Sequence, residues 1–498
     1  MKKVLFTSLL IMFVGTFTFA NNLIMGVPSI GGSTVSFTIK WDNSWKVSAG
    51  PANWDAVWVF VKRQNCDQPN QNPWLHGQLA ASGHSVTGTQ LQVDLPTDQM
   101  GVFIRRNADG IGNINEATVT LTLSSPIGAD NIGVYGIEMV NVPEGEFFIG
   151  DGNNPSSTNR INFTDGATDN PLRITAAIQA AGIGAATVYQ KSGFGSIGSL
   201  PATFPLGYNS FYCMKYEITT GQYVSFLNSL TYNQQLRLQE DPNATPPSSP
   251  IGTVINARFG YRIEIKTPGI STTSLTPAIY GNDATDDNNF DQENDGIGLP
   301  VSIRVKDFLA FLDWAALRPM TEFEYEKASR GPLTPVLNEY SWGTTDLRQF
   351  NNYAVNNRFT SSEVLSGSGL GMANVGSNTL YRVGITATPI SDRLNAGATY
   401  YGIMDMTGSV FERCIGGLAH NYAAFTTANG NGQITTDSFA DVIGWPLSTE
   451  VNTYETYYPR RGGSCNRYEG IGISNRQWSN FSDGNRDFAS GGRGVRSF

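Results

Sequence analysis

Thiols and imidazoles are the side chains of this chain best suited to bind a soft metal or carry a redox reaction. Zinc and iron sites combine sulfur and nitrogen ligands, often through closely spaced cysteines. The sequence contains no Cys-x-x-Cys pair and few histidines, so no such site is predicted. The four thiols instead allow three complete disulfide pairings. The residues concerned are Cys66, Cys213, Cys414 and Cys465, with His76, His84 and His420.

A second set of metal-binding side chains is an acidic stretch at residues 283–296. Within it, Asp291-x-Glu293-x-Asp295 followed by Gly is similar to the front of an EF-hand calcium loop. The residue at the last ligand position of such a loop is Ser302 rather than Glu, and no helix pair is evident around it. A solvated acidic loop is therefore favoured over a calcium site.

Arginines concentrate near the carboxyl terminus, and two interpretations of them are open. With Tyr468 and Trp478 they would line a groove for an anionic or sugar ligand. Alternatively, they would form buried ion pairs with Glu217, Glu322 and Glu412. The arginines are Arg461, Arg467, Arg476, Arg486, Arg493 and Arg496. No Gly-x-Ser-x-Gly motif accompanies them, so a serine nucleophile of that type is not predicted.

Composition restricts the class of protein further. The chain has 498 residues, of which 40% are hydrophobic, enough to build the cores of several domains. Its 33 basic and 42 acidic residues give a net charge of −9, whereas a nucleic-acid binder needs a basic face. The 54 glycines and the low charged fraction of 15% indicate short strands joined by long loops.

Residues 1–20 have the pattern of a secretory signal peptide. Lys2 and Lys3 precede an apolar stretch, and Thr18 and Ala20 place small residues before a cleavage point. The apolar stretch is short for a membrane span, and no later segment is apolar enough for one. We therefore expect an exported protein without a transmembrane helix, in the periplasm, at the cell surface or outside the cell.

Residues 21–135 are predicted to form an all-β sandwich domain. Val35, Phe37, Ile39 and Trp41 alternate with polar residues, as in a half-buried strand. The run at 57–61 is nearly continuously apolar, as in a strand buried on both faces. Five tryptophans in this region are interpreted as core packing rather than as a platform for carbohydrate: Trp41, Trp45, Trp54, Trp58 and Trp74.

A second unit is predicted over residues 136–498. It opens with a hairpin at 137–150 and contains two loop insertions, near 151–207 and 240–300. Capping-box spacings at Thr219 with Gln222 and at Thr321 with Glu324 predict helix starts, and another apolar helix face is predicted at 305–312. The rest is predicted as short strands in long loops, which makes this unit an irregular α+β domain.

Seven segments of the second unit follow one another in a characteristic order. They are 136–150 (GIEMVNVPEGEFFIG), 215–219 (KYEIT), 317–326 (LRPMTEFEYE), 342–343 (WG), 402–412 (GIMDMTGSVFE), 461–464 (RGGS) and 492–496 (GRGVR). In type and order they resemble the motifs of the formylglycine-generating enzyme (sulfatase-modifying factor) family. The resemblance implies a fold related to C-type lectin domains for residues 136–498.

The same resemblance bears on catalysis. Members that make formylglycine use a cysteine pair, one cysteine three residues past the Ser of the GGS motif and the other five further on. Here these positions are Arg467 and Gly472, while Cys465 directly follows Ser464. The helical domain that supplies histidines in related iron enzymes has no counterpart. No copper or iron is therefore expected.

Two further site predictions follow from the resemblance. The segments that contain Cys414 and Cys465 pack near one another in the family, which implies a Cys414–Cys465 disulfide. Cys66 and Cys213 would pair with each other, or Cys213 would be a buried thiol. The family's calcium ligands correspond to Ser409 and Glu412; the alternative for Glu412 is a pair with a core arginine.

The sequence as a whole predicts an exported, non-catalytic binding or structural protein. Its binding residues are expected to be Ser464, Arg467 and Trp478, and its partner a protein or a carbohydrate at the cell surface, with self-assembly as a further option. Nucleic acid is not an expected partner. The alternative function is an oxidoreductase of the sulfatase-modifying type that acts on a sulfur-containing substrate.

Overall fold

The computed structural model of the chain describes most of its length. The described residues are 17–18, 23–67, 72–88, 90–152, 162–165, 170–184, 189–190, 199–238, 245–272, 274–290, 295–366, 372–388, 391–416, 424–445, 458–479 and 489–498. Within them the fold is rich in β-strands and has few helices. The predicted signal peptide lies outside the described residues, apart from a two-residue strand at Phe17–Thr18.

Ten of the described strands form one large sheet, called the large sheet below. Neighbouring strands are antiparallel, except that Arg318–Thr321 and Glu412–Ile415 are parallel. In spatial order the strands are Arg460–Arg461, Glu412–Ile415, Arg318–Thr321, Gly494–Arg496, Phe211–Met214, Asn131–Val142, Asp55–Gln64, Val102–Arg106 and Leu91–Asp94, with Leu75–His76 also paired to Asp55–Gln64.

Strand Asn131–Val142 joins the amino-terminal region to the rest of the chain. On one side it pairs with Asp55–Gln64 along most of its length, and on the other side its last residues pair with Phe211–Met214. The domain boundary predicted between residues 135 and 136 falls inside this strand. The regions before and after that point therefore share one continuous sheet.

Strand Asp55–Gln64 contributes to two hydrophobic cores because successive side chains of a strand point to opposite faces. Trp58 and Phe60 pack in the core that includes helix Val305–Trp314. The alternate residues face a second core, which lies between the large sheet and a smaller one; they are Val57, Val59 and Val61. The burial of both faces that the apolar run predicts is confirmed.

The smaller sheet has six described strands. Its longest strands, Thr34–Lys46 and Gly110–Thr122, are paired antiparallel, and Val35 and Phe37 point from the first of them into the second core. Trp41 and Trp58 are fully buried, which supports the interpretation of these two as core residues. The other four strands are Phe17–Thr18, Ile24–Met25, Ser29–Gly31 and Ser85–Val86.

The helices form beside the large sheet at the points that local signals predict. Thr219 and Thr321 each cap a helix with the predicted capping box, and Gly331 ends the second of these helices with a φ of +72°. The α-helices of the described residues are Ala176–Ala181, Thr220–Asn228, Tyr232–Leu238, Val305–Trp314, Glu322–Arg330 and Arg393–Ala396, with a 3-10 helix at Phe350–Asn352. None of them has the length and the apolar run that a membrane crossing requires.

Two local predictions are wrong. The predicted hairpin at 137–150 does not form, because Phe147–Ile149 pairs with Leu172–Ile174 instead. The predicted loop near 240–300 contains a three-stranded antiparallel sheet. Its strands are Val254–Arg258, Tyr261–Thr267 and Ile279–Asn282, and the alternation of buried Tyr261, Ile263 and Ile265 is its sequence signal.

The remaining strands form small separate pairs. They are Phe163–Thr164 with Tyr189–Gln190, Arg348–Gln349 with Met372–Ala373, and Val355–Asn356 with Val364–Leu365.

Because the sheet is continuous, we predict that residues 136–498 do not fold alone. A fragment of residues 136–498 loses the neighbour of strand Asn131–Val142 and exposes the core face that Trp58 and Phe60 cover. We expect it to aggregate or to lack a cooperative thermal transition, whereas a fragment of residues 23–498 melts like the full chain. Circular dichroism melts of both fragments test this. A cooperative transition of the shorter fragment at the temperature of the full chain would contradict shared folding.

Candidate ligand pocket

A cavity of about 340 Å³ opens between four segments of the chain. Its walls come from Asp151 after strand Phe147–Ile149, from Asn162 before strand Phe163–Thr164, from the segment after helix Glu322–Arg330, and from residues 468–477, called the pocket loop below. The lining residues are Asp151, Asn162, Asn338, Tyr340, Tyr468, Glu469, Gly470, Ile471, Gly472, Asn475 and Gln477.

Short hydrogen bonds tie the walls together. One carboxylate oxygen of Asp151 accepts from the Asn162 side chain at 2.7 Å, and the other accepts from the Asn338 backbone N–H at 3.0 Å. The backbone N–H of Ile473 donates to the carbonyl of Glu339 at 2.9 Å. The pocket is therefore held by the fold rather than by one flexible segment.

The approach to the pocket loop requires glycine. Gly462 has a φ of +81°, and a Cβ atom there would lie 2.6 Å from the carbonyl oxygen of Met406. Only glycine combines that backbone conformation with so close a contact. The RGGS segment is thus fixed against the segment that contains Met406 before the chain enters the pocket.

A buried network of ion pairs lies beneath the pocket loop. Arg461 donates to Glu322 at 2.9 Å and to Glu326 at 2.8 Å, both on helix Glu322–Arg330. Arg476 donates to the second oxygen of Glu322 at 2.6 Å, and Arg330 pairs with Glu326 at 3.2 Å. All of these side chains are fully buried or nearly so. The network ties Arg461, which precedes the pocket loop, and Arg476, near the end of the loop, to one helix.

The ionised forms of the side chains in this network are stabilised by their partners. Burial alone raises the pKa of Glu322, but Arg476 and Arg461 outweigh it, so the pKa lies below its ordinary value. Burial lowers the pKa of Arg461, but Glu326 and Glu322 outweigh it and raise the pKa. Removing one partner would leave a buried charge uncompensated, which costs about 3–5 kcal/mol.

The two interpretations of the carboxyl-terminal arginines can now be compared. Arg493 forms a buried pair with Glu412 at 2.6 Å, as Arg461 and Arg476 do with Glu322, whereas Arg496 is buried but pairs at 2.6 Å with Asp98, which is exposed. Arg486 lies outside the described residues. These paired guanidinium groups are not in the pocket wall, so they do not make it a site for an anion.

The three predicted binding residues lie beside the pocket rather than in its wall. Ser464 is buried, and its hydroxyl donates to the Asn466 side chain at 2.9 Å. The Arg467 guanidinium lies 5.8 Å from the centre of the Trp478 ring, and the Trp478 indole donates to the Glu469 carbonyl at 3.0 Å. Tyr468, which the sequence placed in a groove for an anionic or sugar ligand, does line the pocket. Tyr340 and the lining amides were missed.

The predicted Cys414–Cys465 disulfide is not present, because all four cysteines are free thiols. Their segments do lie side by side, since the backbone N–H of Cys465 donates to the Ser409 carbonyl at 2.7 Å. However, Cys414 packs in a cluster with Cys213 and Tyr325, whereas Cys465 packs in another core. The register of the two segments keeps the cysteines apart, because the Cys414 backbone N–H donates to the Pro459 carbonyl at 2.9 Å whereas Cys465 lies against Ser409.

Burial makes these thiols poor ligands and poor nucleophiles. It raises the pKa of Cys213 to about 12 and raises the pKa of Cys414 and of Cys465 well above the usual range. The thiolate is the form that binds metals and attacks electrophiles. None of these three residues is therefore prepared for redox chemistry at neutral pH.

The predicted calcium ligands are engaged with protein groups. The Ser409 hydroxyl donates to Glu217 at 2.7 Å, and the backbone N–H of Val410 donates to the other oxygen of Glu217 at 3.0 Å. Arg493 donates to one oxygen of Glu412 at 2.6 Å, which is the arginine pair that the sequence left open. Calcium at Ser409 and Glu412 stays a prediction.

Comparison with known proteins gives one match that spans most of the chain. Residues 136–488 match the family described as the sulfatase-modifying factor enzyme 1-like domain. No curated protein matches the chain. Among solved structures, it is similar to the crystal structure of a group B streptococcus pilus 2b backbone protein. That similarity has 15% identity over 41% of this chain and 85% of the other, and its TM-score of 0.10 carries no argument about fold.

The free thiols predict the result of a thiol titration without reductant. Ellman's reagent should react with all four cysteines of the denatured protein, and in the native protein Cys66 should react first because it is only half-buried. Cys465→Ser should then lower the denatured count by one. Two reactive thiols in the denatured, unmodified chain, or non-reducing peptide mapping that links Cys414 to Cys465, would contradict the free thiols and support the disulfide.

Proposed function

This chain belongs to the family of the sulfatase-modifying factor enzyme 1-like domain, and we propose that it is an exported binding protein rather than a catalyst. The pocket carries this proposal. Its described wall holds amides, carboxylates, tyrosines and backbone, without a thiol, an imidazole or an amine. Such a wall is equipped to hold a polar ligand by hydrogen bonds, and it offers no sulfur or imidazole ligand for a copper ion.

The residues at the family's catalytic positions do not fit a copper ion. Cu(I) requires soft sulfur ligands that converge on it. Arg467 carries a permanent cation without a lone pair, and Gly472 has no side chain. Cys465 is buried in a separate core and has a raised pKa. These residues do not support copper chemistry at the pocket.

The histidines do not form an iron site among the described residues either. His76 lies on the large sheet, where one ring nitrogen contacts the Met100 carbonyl at 2.5 Å. His84 contacts the Ala80 carbonyl at 2.8 Å through one ring nitrogen and the Thr122 backbone N–H at 3.2 Å through the other. His420 is outside the described residues.

We propose that the ligand is a carbohydrate. Asn338, Asn475 and Gln477 offer both donors and acceptors, as hydroxyl groups require. Tyr340 and Tyr468 add flat apolar rings with a polar tip. The carboxyl groups of Asp151 and Glu469 accept hydrogen bonds from hydroxyls and repel anions. A neutral or amino sugar therefore suits the wall better than a phosphate or a sulfate.

Glycan binding can be measured and mapped to the pocket. The purified chain, probed on an array of neutral, amino, sulfated and sialylated oligosaccharides, should bind neutral or amino glycans. Tyr468→Ala should weaken the Kd of a bound glycan by about tenfold, which corresponds to about 1.4 kcal/mol. Tyr468 is 46% exposed, so this change should leave the fold intact.

Trp74→Ala is the matched control, because it removes a half-buried aromatic ring from the amino-terminal region. It should leave glycan affinity unchanged. Loss of binding in Trp74→Ala with full binding in Tyr468→Ala would show that the glycan binds at the tryptophans of the amino-terminal region instead of at the pocket. Binding of a protein ligand but of no glycan would contradict the ligand class.

The alternative function, oxidation of a sulfur-containing substrate, rests on the family match. We expect no formylglycine when the chain is incubated with copper, oxygen and a sulfatase-type cysteine peptide, because the cysteine pair is absent. Mass spectrometry of the peptide measures this. The double variant R467C/G472C is the control, because it places cysteines at the two family positions. The structure has room for a side chain at Gly472, where the nearest contact of a Cβ atom would be an ordinary 3.5 Å. Turnover by the unmodified chain would show that it is an enzyme.

A further inference from the structure

A group of carboxylates surrounds Asp283, outside the pocket, on the three-stranded sheet of residues 254–282. Asp283 directly follows strand Ile279–Asn282, and its backbone N–H donates to the Arg262 carbonyl at 3.1 Å. On the neighbouring strand, Glu264 is paired with Gly281. Sheet register therefore places Glu264 and Asp283 next to each other although they are far apart along the chain.

The carboxylate oxygens are close enough to share one ion. One oxygen each of Glu264, Asp283 and Asp286 lie within 4.8 Å of one another, and Asp283 has the same relation to Asp287 and Asp295. Two ligands of one Ca²⁺ ion, each about 2.4 Å from it, are separated by at most about 4.8 Å. Mg²⁺ needs a strict octahedron with bonds of about 2.1 Å and usually keeps several waters, whereas Ca²⁺ accepts an irregular set of carboxylate oxygens such as this one.

A buried oxygen without a protein partner points independently to a ligand. Glu264 is fully buried, and one of its oxygens accepts from the Arg262 Nε at 2.6 Å. Its other oxygen, Oε2, has no hydrogen-bond partner. Leaving a charged acceptor buried and unpaired is costly, so an interaction with a cation would stabilise this arrangement.

The local charge balance also favours a divalent cation. Five carboxyl groups meet here, and Arg262 pairs with two of them, Glu264 and Asp286, the second at 2.8 Å. Carboxylates that repel one another are stabilised when a dication lies between them.

We propose that Glu264, Asp283 and Asp286 bind a calcium ion, with Asp287 and Asp295 as additional negative charge beside it. Arg262 holds one oxygen each of Glu264 and Asp286, which leaves Glu264 Oε2 for the ion. Asp286 is exposed, so water can complete the coordination sphere. The ion would join strand Tyr261–Thr267 to the loop after strand Ile279–Asn282.

Calcium binding can be measured on the full mature chain after treatment with a chelator. Isothermal titration with CaCl₂ should show binding, and the melting temperature should rise with calcium but not with the same concentration of magnesium. Asp286→Asn should weaken the affinity of this site at least about tenfold and reduce the thermal shift, and Glu264→Gln should do the same. Because Asp286 is exposed, its variant remains informative if Glu264→Gln fails to fold.

Two control variants make the assignment specific. Asp346→Asn removes one exposed acidic charge elsewhere and should bind calcium as the unmodified chain does. Ser409→Ala tests the other predicted calcium site and should leave this binding in place. The proposal is overturned if the unmodified chain binds no calcium, if Asp286→Asn binds it normally, if Ser409→Ala alone abolishes binding, or if magnesium gives an equal thermal shift.

Discussion

Backbone hydrogen bonding on both sides of strand Asn131–Val142 is the constraint on which the rest of the structure depends. This strand lies between Asp55–Gln64 and Phe211–Met214 and pairs with both, so the amino-terminal strands and strands of residues 136–498 form one sheet. A strand inside a sheet cannot lose one neighbour without exposing a row of polar backbone groups. The amino-terminal region is thus part of the folding unit that supports the pocket, although the family match begins only at residue 136.

Buried ion pairs attach the segment that carries the pocket loop to helix Glu322–Arg330 beside this sheet. Glu322 and Glu326 lie on a helix, and Arg461 and Arg476 lie at the two ends of the segment that carries the pocket loop. Taking these charges out of water is costly, and the cost is recovered only when each group finds its partner in good geometry. The pairs therefore specify one position for the loop, and they keep the arginines out of the pocket wall.

The same scaffold is compatible with the proposed binding function. The carboxyl-terminal segment keeps the glycines and arginines that fold it, while Arg467 and Gly472 stand where the family's catalytic cysteines would be. What surrounds Gly472 is a set of amides, carboxylates and tyrosines. The residues that fold this segment are distinct from those at the family's catalytic positions, so the fold does not depend on a cysteine pair there.

Local features of this chain were determined by the sequence alone. Capping boxes at Thr219 and Thr321, the doubly buried run at 57–61 and the family motifs all depend on near neighbours, and each predicted feature is present. The absence of the cysteine pair is likewise visible in the sequence. Only the tertiary structure decided which distant groups meet: the partner of Phe147–Ile149, the separation of Cys414 from Cys465, and the pocket walls. The physical reason is that a turn or a cap depends on adjacent residues, whereas a buried contact depends on all the segments that exclude water from it at once.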